Sequence, residues 1–441
     1  MTNSAKTFAH DVLERAQRKA DSAEVLLQES ETRSVQFQDN ALKSVNTKAV
    51  RGVGLRVIHR GRIGFSSTNN MDLRDELVEQ ALASAAFGQE AKFEFPGPAE
   101  EPQVKIHDPK VCDLTMEEAA ATMRSGVERI HEKNADAHCS GGVSRTTGHS
   151  VLCNTAGLLC EEATTDYSLG IEAFLVRGES FLWVGEGEES CRLQGDMLRH
   201  ADKVNEWIAL AEREVRLEGE KLPVIFTPRA LETLMGTFLI NVNGKMVQKG
   251  ASLLAEKMGE RILDPRVTIM DDPLVDYASS SYALDAEGLP GRTKPLFEDG
   301  VLRNFVHDLQ TAGLMNVTPT GNGLRNYSSQ PRPGTGNVRM KPGDIPLKDL
   351  YAGVKRGLLI DQALGAGQSN VLAGDFSVSV ELGFLIENGE IAARVKDSML
   401  AGNCFDAFNN IRGISRETEW HDGAELPTVC FEALSVVGRG E

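Results

Sequence analysis

Apolar residues recur at helical spacing in a few stretches and alternate with polar ones over most of the chain. In 5–19, Phe8, Val12, Leu13 and Ala16 share one face, the stripe of an amphipathic helix. Between 23 and 67 the texture changes to short β-type runs, AEVLLQ, RSVQFQ, ALKSVNT and VGLRVIHRGRIGFSST, with Arg60-Gly61 as a tight hairpin turn. Residues 73–87 return to helical spacing. The following FEFPGPAEEPQ, with three prolines, reads as a surface linker and a subdomain boundary near 95–103. Thr115 and Glu118 have the capping-box spacing of a helix that runs towards Lys133. Strands are expected over 137–148, 150–155, 158–164 and 166–176, with a turn at 154–157, and a further helix over 197–213. LPVIFTPRALETLM then reads as a strand running into a helix, and beyond Ile262 short strands dominate. Asp299-Gly300 and Asn388-Gly389 are each predicted to be two-residue hairpin loops, because both central positions need φ > 0. The segment 318–341, with Pro319, Pro331 and Pro333, reads as a long, mobile loop.

Composition narrows the function classes. The 441 residues are 41% apolar and 25% charged, enough for two or three globular domains. Against 47 Lys+Arg stand 64 Asp+Glu, a net charge of −17 spread along the chain with no basic block. Direct nucleic-acid binding is therefore not expected. The first twenty residues contain no apolar signal core, and no apolar run approaches the roughly 18 residues of a bilayer span. The expectation is a cytoplasmic chain without a membrane segment. Seven cysteines, an odd number with no CxxC pair, suit reduced and mostly buried thiols.

Candidate chemistry is sparse. A zinc helix of the HExxH kind needs two imidazoles on one face. The one His-Glu pair, His131-Glu132, is followed by Ala135 and Asp136, and His138 comes only seven residues on. These read as surface residues at a helix C-terminus. GxxxxGK[ST], GxGxxG and GxSxG are absent, and Gly365-Ala-Gly367 reads as a plain turn. Cys404 and Cys430 lie in apolar, strand-like contexts that suit structural thiols. One cluster is dense: Asp285, Glu287, Arg292, Glu298, Asp299, His307 and Asp308. Two readings of it stand side by side, a solvated hairpin rim and a polar groove. His307 and Asp308, as neighbours on a strand, would point to opposite faces.

At this cluster the chain resembles the TldD/PmbA family. The carriers are a D-x-E-G-x-P-x-R segment at 285–292, a hairpin at 298–302 and a D-x-x-x-A run at 308–312. Further family-like pieces are LPVIFTPRA, QKGASLL, VTIMDDPL, GDFSVSVELGFLIENGEI, AGNCFDAFNNI and PTVCFEALSVVG. The resemblance runs from about 20 to 438 and is strongest after 222. It implies an α+β fold, with an N-terminal α/β subdomain at 1–103, a middle α/β subdomain at 104–221, and a mostly antiparallel β domain at 222–441.

The family's TldD-like branch carries His-Glu-x-x-x-His before an R-K-G-T-S segment, plus a later Cys-Gly-Lys. Counted back from Lys249 without a gap, those positions fall on Met235, Gly236 and Ile240, and no Cys-Gly-Lys is present. The pattern matches the PmbA (TldE) branch. The resemblance then implies a subunit with no metal or cofactor of its own, working with a TldD-like zinc peptidase partner or a second copy of itself in peptide maturation and proteolysis. Asp285, Glu287, Arg292, His307 and Asp308 are the candidate peptide groove. Two other readings are an interaction factor of the gyrase-modulator kind and a peptidase with His307 and Asp308 as unorthodox ligands.

Overall fold

The computed structural model describes residues 2–366 and 369–438; Gly367, where the Gly365-Ala-Gly367 turn ends, lies outside them. Helix α1 (Thr2–Gln17) leads into an antiparallel meander of β1 (Ser22–Gln38), β2 (Ala41–His59) and β3 (Arg62–Thr68). Helices α2 (Arg74–Ala85), α3 (Pro109–Asp113) and α4 (Met116–His131) connect it to a second meander. That one comprises β4 (His138–Asn154), β5 (Leu159–Arg177) and β6 (Ser180–Ser190), followed by α5 (Met197–Leu210). β1 also pairs with β4, from Glu24↔Asn154 to Phe37↔Gly141, so the six strands form one sheet in the order β3-β2-β1-β4-β5-β6. Residues 1–103 and 104–221 thus contribute three strands each to a shared sheet. The runs 137–148 and 150–155 are one strand, and so are 158–164 and 166–176. Ladder pairing continues through Gly148↔Thr164 where alternation lapses.

The spacing in 5–19 gives the face expected of it. Phe8, Val12, Leu13 and Ala16 are buried with Val25, Leu27, Val53 and Leu55 of the sheet and Leu77 of α2. Around Val143, Leu169 and Ile171 the sheet is covered by α4 and α5, through Met123, Val127, Val204 and Ile208. The capping box at Thr115 is formed: its hydroxyl accepts the Glu118 N–H while the Glu118 carboxylate accepts the Thr115 N–H, satisfying two otherwise free donors.

After β7 (Glu214–Arg216), β8 (Glu220–Phe226) runs into α6 (Pro228–Val242) and α7 (Gly244–Gln248). Thr227 caps α6 and Pro228 takes its first turn, where a missing N–H costs nothing. The strands that follow are β9 (Ile269–Asp272), β10 (Lys294–Glu298), β11 (Val301–Leu302), β12 (Gly323–Leu324), β13 (Arg332–Pro333) and β14 (Asn337–Met340). Then come β15 (Arg356–Leu364), β16 (Asp375–Glu387), β17 (Glu390–Lys396), β18 (Ser398–Asn403), β19 (Ile411–His421) and β20 (Ala424–Gly438). The short helices α8 (Leu309–Met315), α9 (Leu347–Ala352) and α10 (Cys404–Asn409) lie between them.

Five strands close a ring: β20 pairs with β8, β8 with β15, β15 with β16, β16 with β18, and β18 again with β20. Closure removes the free edges these strands would otherwise present. Phe226, Phe238, Phe408 and Phe431 belong to the same core, α6 supplying Phe238. Trp207 of α5 stacks on Phe384 of β16 at 5.3 Å, joining the two halves of the chain. The fold is α+β with a β-rich C-terminal part.

The predicted hairpin loops are present, with both central residues at positive φ: Arg60-Gly61 at 54° and 73°, Asp299-Gly300 at 48° and 76°, Asn388-Gly389 at 53° and 85°. Two expectations need correction. Residues 93–103 are not a free linker: Phe95 is buried, and Phe93 and Phe95 flank the Arg56 guanidinium at 4.8 and 5.1 Å. The segment 318–341 is pinned to the sheet, because the Tyr327 N–H donates to Gln28 Oε1 at 2.8 Å and Arg325 ion-pairs with Glu24. Glycine is required beside it, since a Cβ on Gly54 would lie 2.2 Å from the Tyr327 carbonyl oxygen. Among the described residues, no helix is long and apolar enough to cross a membrane.

Candidate functional site: an acidic cleft beside a buried ionic network

The charged cluster around the D-x-E-G segment divides in two. Arg292, Glu298 and Asp299 are exposed on the hairpin rim. Asp285, Glu287, His307 and Asp308 are interior, 3, 0, 5 and 4% exposed. Glu24 of β1 and Arg56 of β2 are direct ladder partners, and Arg56 donates to Glu24 at 2.9 Å and to Glu287 at 2.6 Å. Glu287 also accepts the Leu309 N–H at 2.8 Å. Asp285 accepts backbone N–H groups of Glu287, Leu289 and Gly323. Burial, then the neighbouring Glu287, raises its pKa. Asp308 caps α8 by accepting from Thr311 at 2.7 Å. Burial lowers the His307 pKa, which keeps its ring neutral. Through Arg56, Glu287 fastens this segment to the N-terminal sheet, and none of the four side chains lines the large cleft described below.

All three positions aligned with the family's zinc motif lie on α6. Met235 is buried, Gly236 is exposed and Ile240 is half-buried. A glycine and an isoleucine offer no donor atom and a thioether is a poor partner for zinc, so this set does not fit the metal. One turn earlier, Glu232 meets His421 and Asp422, with one potential ligand atom from each within 4.8 Å of the others. His421 Nδ1 lies 3.3 Å from Glu232 and 3.5 Å from Asp422. Burial opposes protonation of His421, but the two carboxylates prevail and raise its pKa. His131 and Glu132 sit where expected, at the end of α4, bonded to the Ala137 carbonyl and to Arg129. All seven cysteines are free. Burial pushes the Cys404 and Cys430 thiols up to about 11 and about 12, so they stay protonated and inert.

A cleft of about 1310 Å³ opens where the sheet meets the C-terminal part. It follows β6, whose one ladder partner is β5, and is walled by the start of α5, the start of α6, the loop 275–279 and the β19–β20 turn. Gly142, Gly170 and Gly187 stand in register across β4, β5 and β6 and leave the sheet bare of side chains there. The lining carries eleven carboxylates against four Lys or Arg residues. Several acids are matched: Glu188 accepts from His200 at 2.7 Å, and Glu186 from the Trp207 indole at 2.8 Å. Lys203 lies 3.7 Å from Glu186 and 3.4 Å from Glu419.

Asp361 is different. It falls at a β-bulge of β15, between Ile360↔Gly383 and Gln362↔Leu382, a distortion that re-aims a side chain. The residue is 2% exposed, yet it lines the cleft, and its Oδ2 has no hydrogen-bond partner. Burial, then Glu186, pushes its pKa up to about 6 against Arg229 and Lys203.

Comparison with known proteins identifies the family and the fold. The model of the PmbA/TldA metallopeptidase C-terminal domain matches residues 219–438, and that of the family's domain 1 matches 23–85. A metalloprotease of Methanothermobacter thermautotrophicus is 28% identical over 90% of this chain and 89% of its own. The metalloprotease PmbA of Escherichia coli O157:H7 is 22% identical over 97% and 94%. In fold, TldE of Thermococcus kodakarensis superposes with a TM-score of 0.88 at 24% identity, covering 98% of this chain and all of that one. A Thermotoga maritima protein named as a candidate modulator of a DNA gyrase gives 0.89, also at 24%, over 98% and 100%. With the family's first-domain and C-terminal-domain models both matched in order, and relatives aligned over nine-tenths or more of its length, this chain belongs to the TldD/PmbA family.

Proposed function

We propose that the chain is a PmbA-branch subunit of a two-component, cytoplasmic zinc peptidase that acts in peptide maturation and in proteolysis of small or unfolded proteins. The observation that carries this reading is the donor-poor set Met235, Gly236 and Ile240 on α6, the helix whose start walls a large cleft. A TldD-like subunit supplies the zinc and its bound water, and this chain contributes binding surface. The position of β6 at the end of its sheet supports that role, since a strand added to such an edge is held by main-chain hydrogen bonds largely regardless of sequence; Arg229 and Arg394, which now donate to the Gly185 and Phe181 carbonyls, would give way to it. A second copy of this chain is the other candidate partner. The gyrase-modulator reading has the name of the Thermotoga maritima protein in its favour, but an acidic cleft and a −17 chain make direct DNA contact unfavourable. The test is co-purification of the tagged chain, with mass spectrometry of what accompanies it. A TldD-like chain carrying His-Glu-x-x-x-His is the expected partner, and gyrase subunits in its place would overturn the proposal.

A further inference from the structure

The lining of the cleft carries a chemical preference. Its eleven carboxylates against four basic side chains give a formal excess of seven negative charges, a large part of the whole chain's −17. Charge of one sign in a cleft with low-dielectric walls concentrates ligands of the other sign. A crowded acidic wall alone names no ligand, but Asp361 adds an independent observation. Its carboxylate is buried, delivered to the cleft by a β-bulge, and left with an oxygen that no group satisfies. Such an atom costs stability unless something pairs with it.

The nearest cations are already engaged. Lys203 is held by Glu186 and Glu419, and Arg229 donates to the Gly185 carbonyl. The missing partner is therefore a donor brought from outside, and a positive one is favoured by the acidic lining that surrounds Asp361, Glu186 included. Trp183, 40% exposed at the same wall, offers an aromatic face to a cation.

We propose that the cleft selects extended peptide segments rich in lysine or arginine, laid along the outer edge of β6, with one ammonium or guanidinium group on Asp361. This rests on the peptide-handling reading above and names its substrate class.

Fluorescence anisotropy with three labelled peptides of equal length tests it, one alternating Lys and Ser, one Gly and Ser, one Glu and Ser, each titrated with the full chain. The Lys peptide should bind at least about tenfold more tightly than the Gly-Ser peptide, the scale of one charge-assisted hydrogen bond, and the Glu peptide should not bind. Asp361→Asn should remove most of that preference. Should Asp361→Asn fail to fold, the double variant Glu172→Gln, Glu189→Gln, which alters two unpaired acids of the wall, should reduce the preference and flatten its dependence on salt. Equal binding of Lys and Gly-Ser peptides would overturn the cationic preference and leave the peptide reading standing. Binding of none of the three would overturn both.

Discussion

Arg56 sets the energetics of the most buried polar site in the molecule. Two carboxylates, Glu24 and Glu287, hold it between the rings of Phe93 and Phe95. Removing one partner of a buried pair leaves an uncompensated charge, at a cost of about 3–5 kcal/mol. Glu287→Ala should therefore lower the unfolding free energy read from urea melts by that much. Because Glu287 lines no part of the cleft, the variant should still bind peptide at temperatures where it is folded.

A second carboxyl reports on pH. Burial, then nearby Glu101, pushes Glu162 up to about 7. The folded chain thus holds this proton more tightly than the unfolded one, so the contribution of Glu162 to stability falls as pH rises through the window from about 4.5 to 7. Glu162→Gln should be neutral near pH 4.5 and stabilising by about 2 kcal/mol at pH 8. Denaturation curves at the two pH values check the sign.

At the scale of elements, α6 is a packing helix, with Leu231, Leu234, Met235 and Phe238 in the core. Met235 is buried against the barrel core, so Met235→Ala should cost about 2–5 kcal/mol and leave metal content unchanged, which thermal melts and elemental analysis together read out. The capping box of α4 is worth less: Thr115→Ala should cost about 1 kcal/mol.

Local features of this kind were legible in the sequence. Asp-Gly and Asn-Gly turns, the Thr115 box and the α1 stripe are decided by a few adjacent residues. Asp39-Asn40 makes a further two-residue turn at positive φ without the glycine that would have flagged it. The ionic network was legible in part. The D-x-E-G segment stood out, but Arg56 reaches Glu287 across 231 residues of sequence, and nothing local reports such a pairing. For the same reason the segments holding Phe93, Phe95 and Arg325 resembled loops, although the fold buries them. Asp361 stands beside Gln362 at the end of an apolar run, which is a signal, but its bulge and its missing partner come from the neighbouring strands.

At the scale of the whole molecule, a six-stranded sheet and a closed barrel meet along a cleft that one sheet edge leaves open. The acidity of that cleft gives the net charge a task that composition alone did not reveal. On the proposed reading, peptide is received there and the hydrolytic chemistry comes from a partner, since Met235, Gly236 and Ile240 offer no zinc ligand. The most direct measurement is zinc content together with peptidase activity of the purified chain, alone and after mixing with a TldD-like subunit. The account predicts no stoichiometric zinc and no cleavage for the chain alone, and cleavage in the mixture with zinc on the partner. One zinc per isolated chain, with proteolysis that needs no partner and is lost in His421→Ala, would contradict it and assign the metal to Glu232, His421 and Asp422.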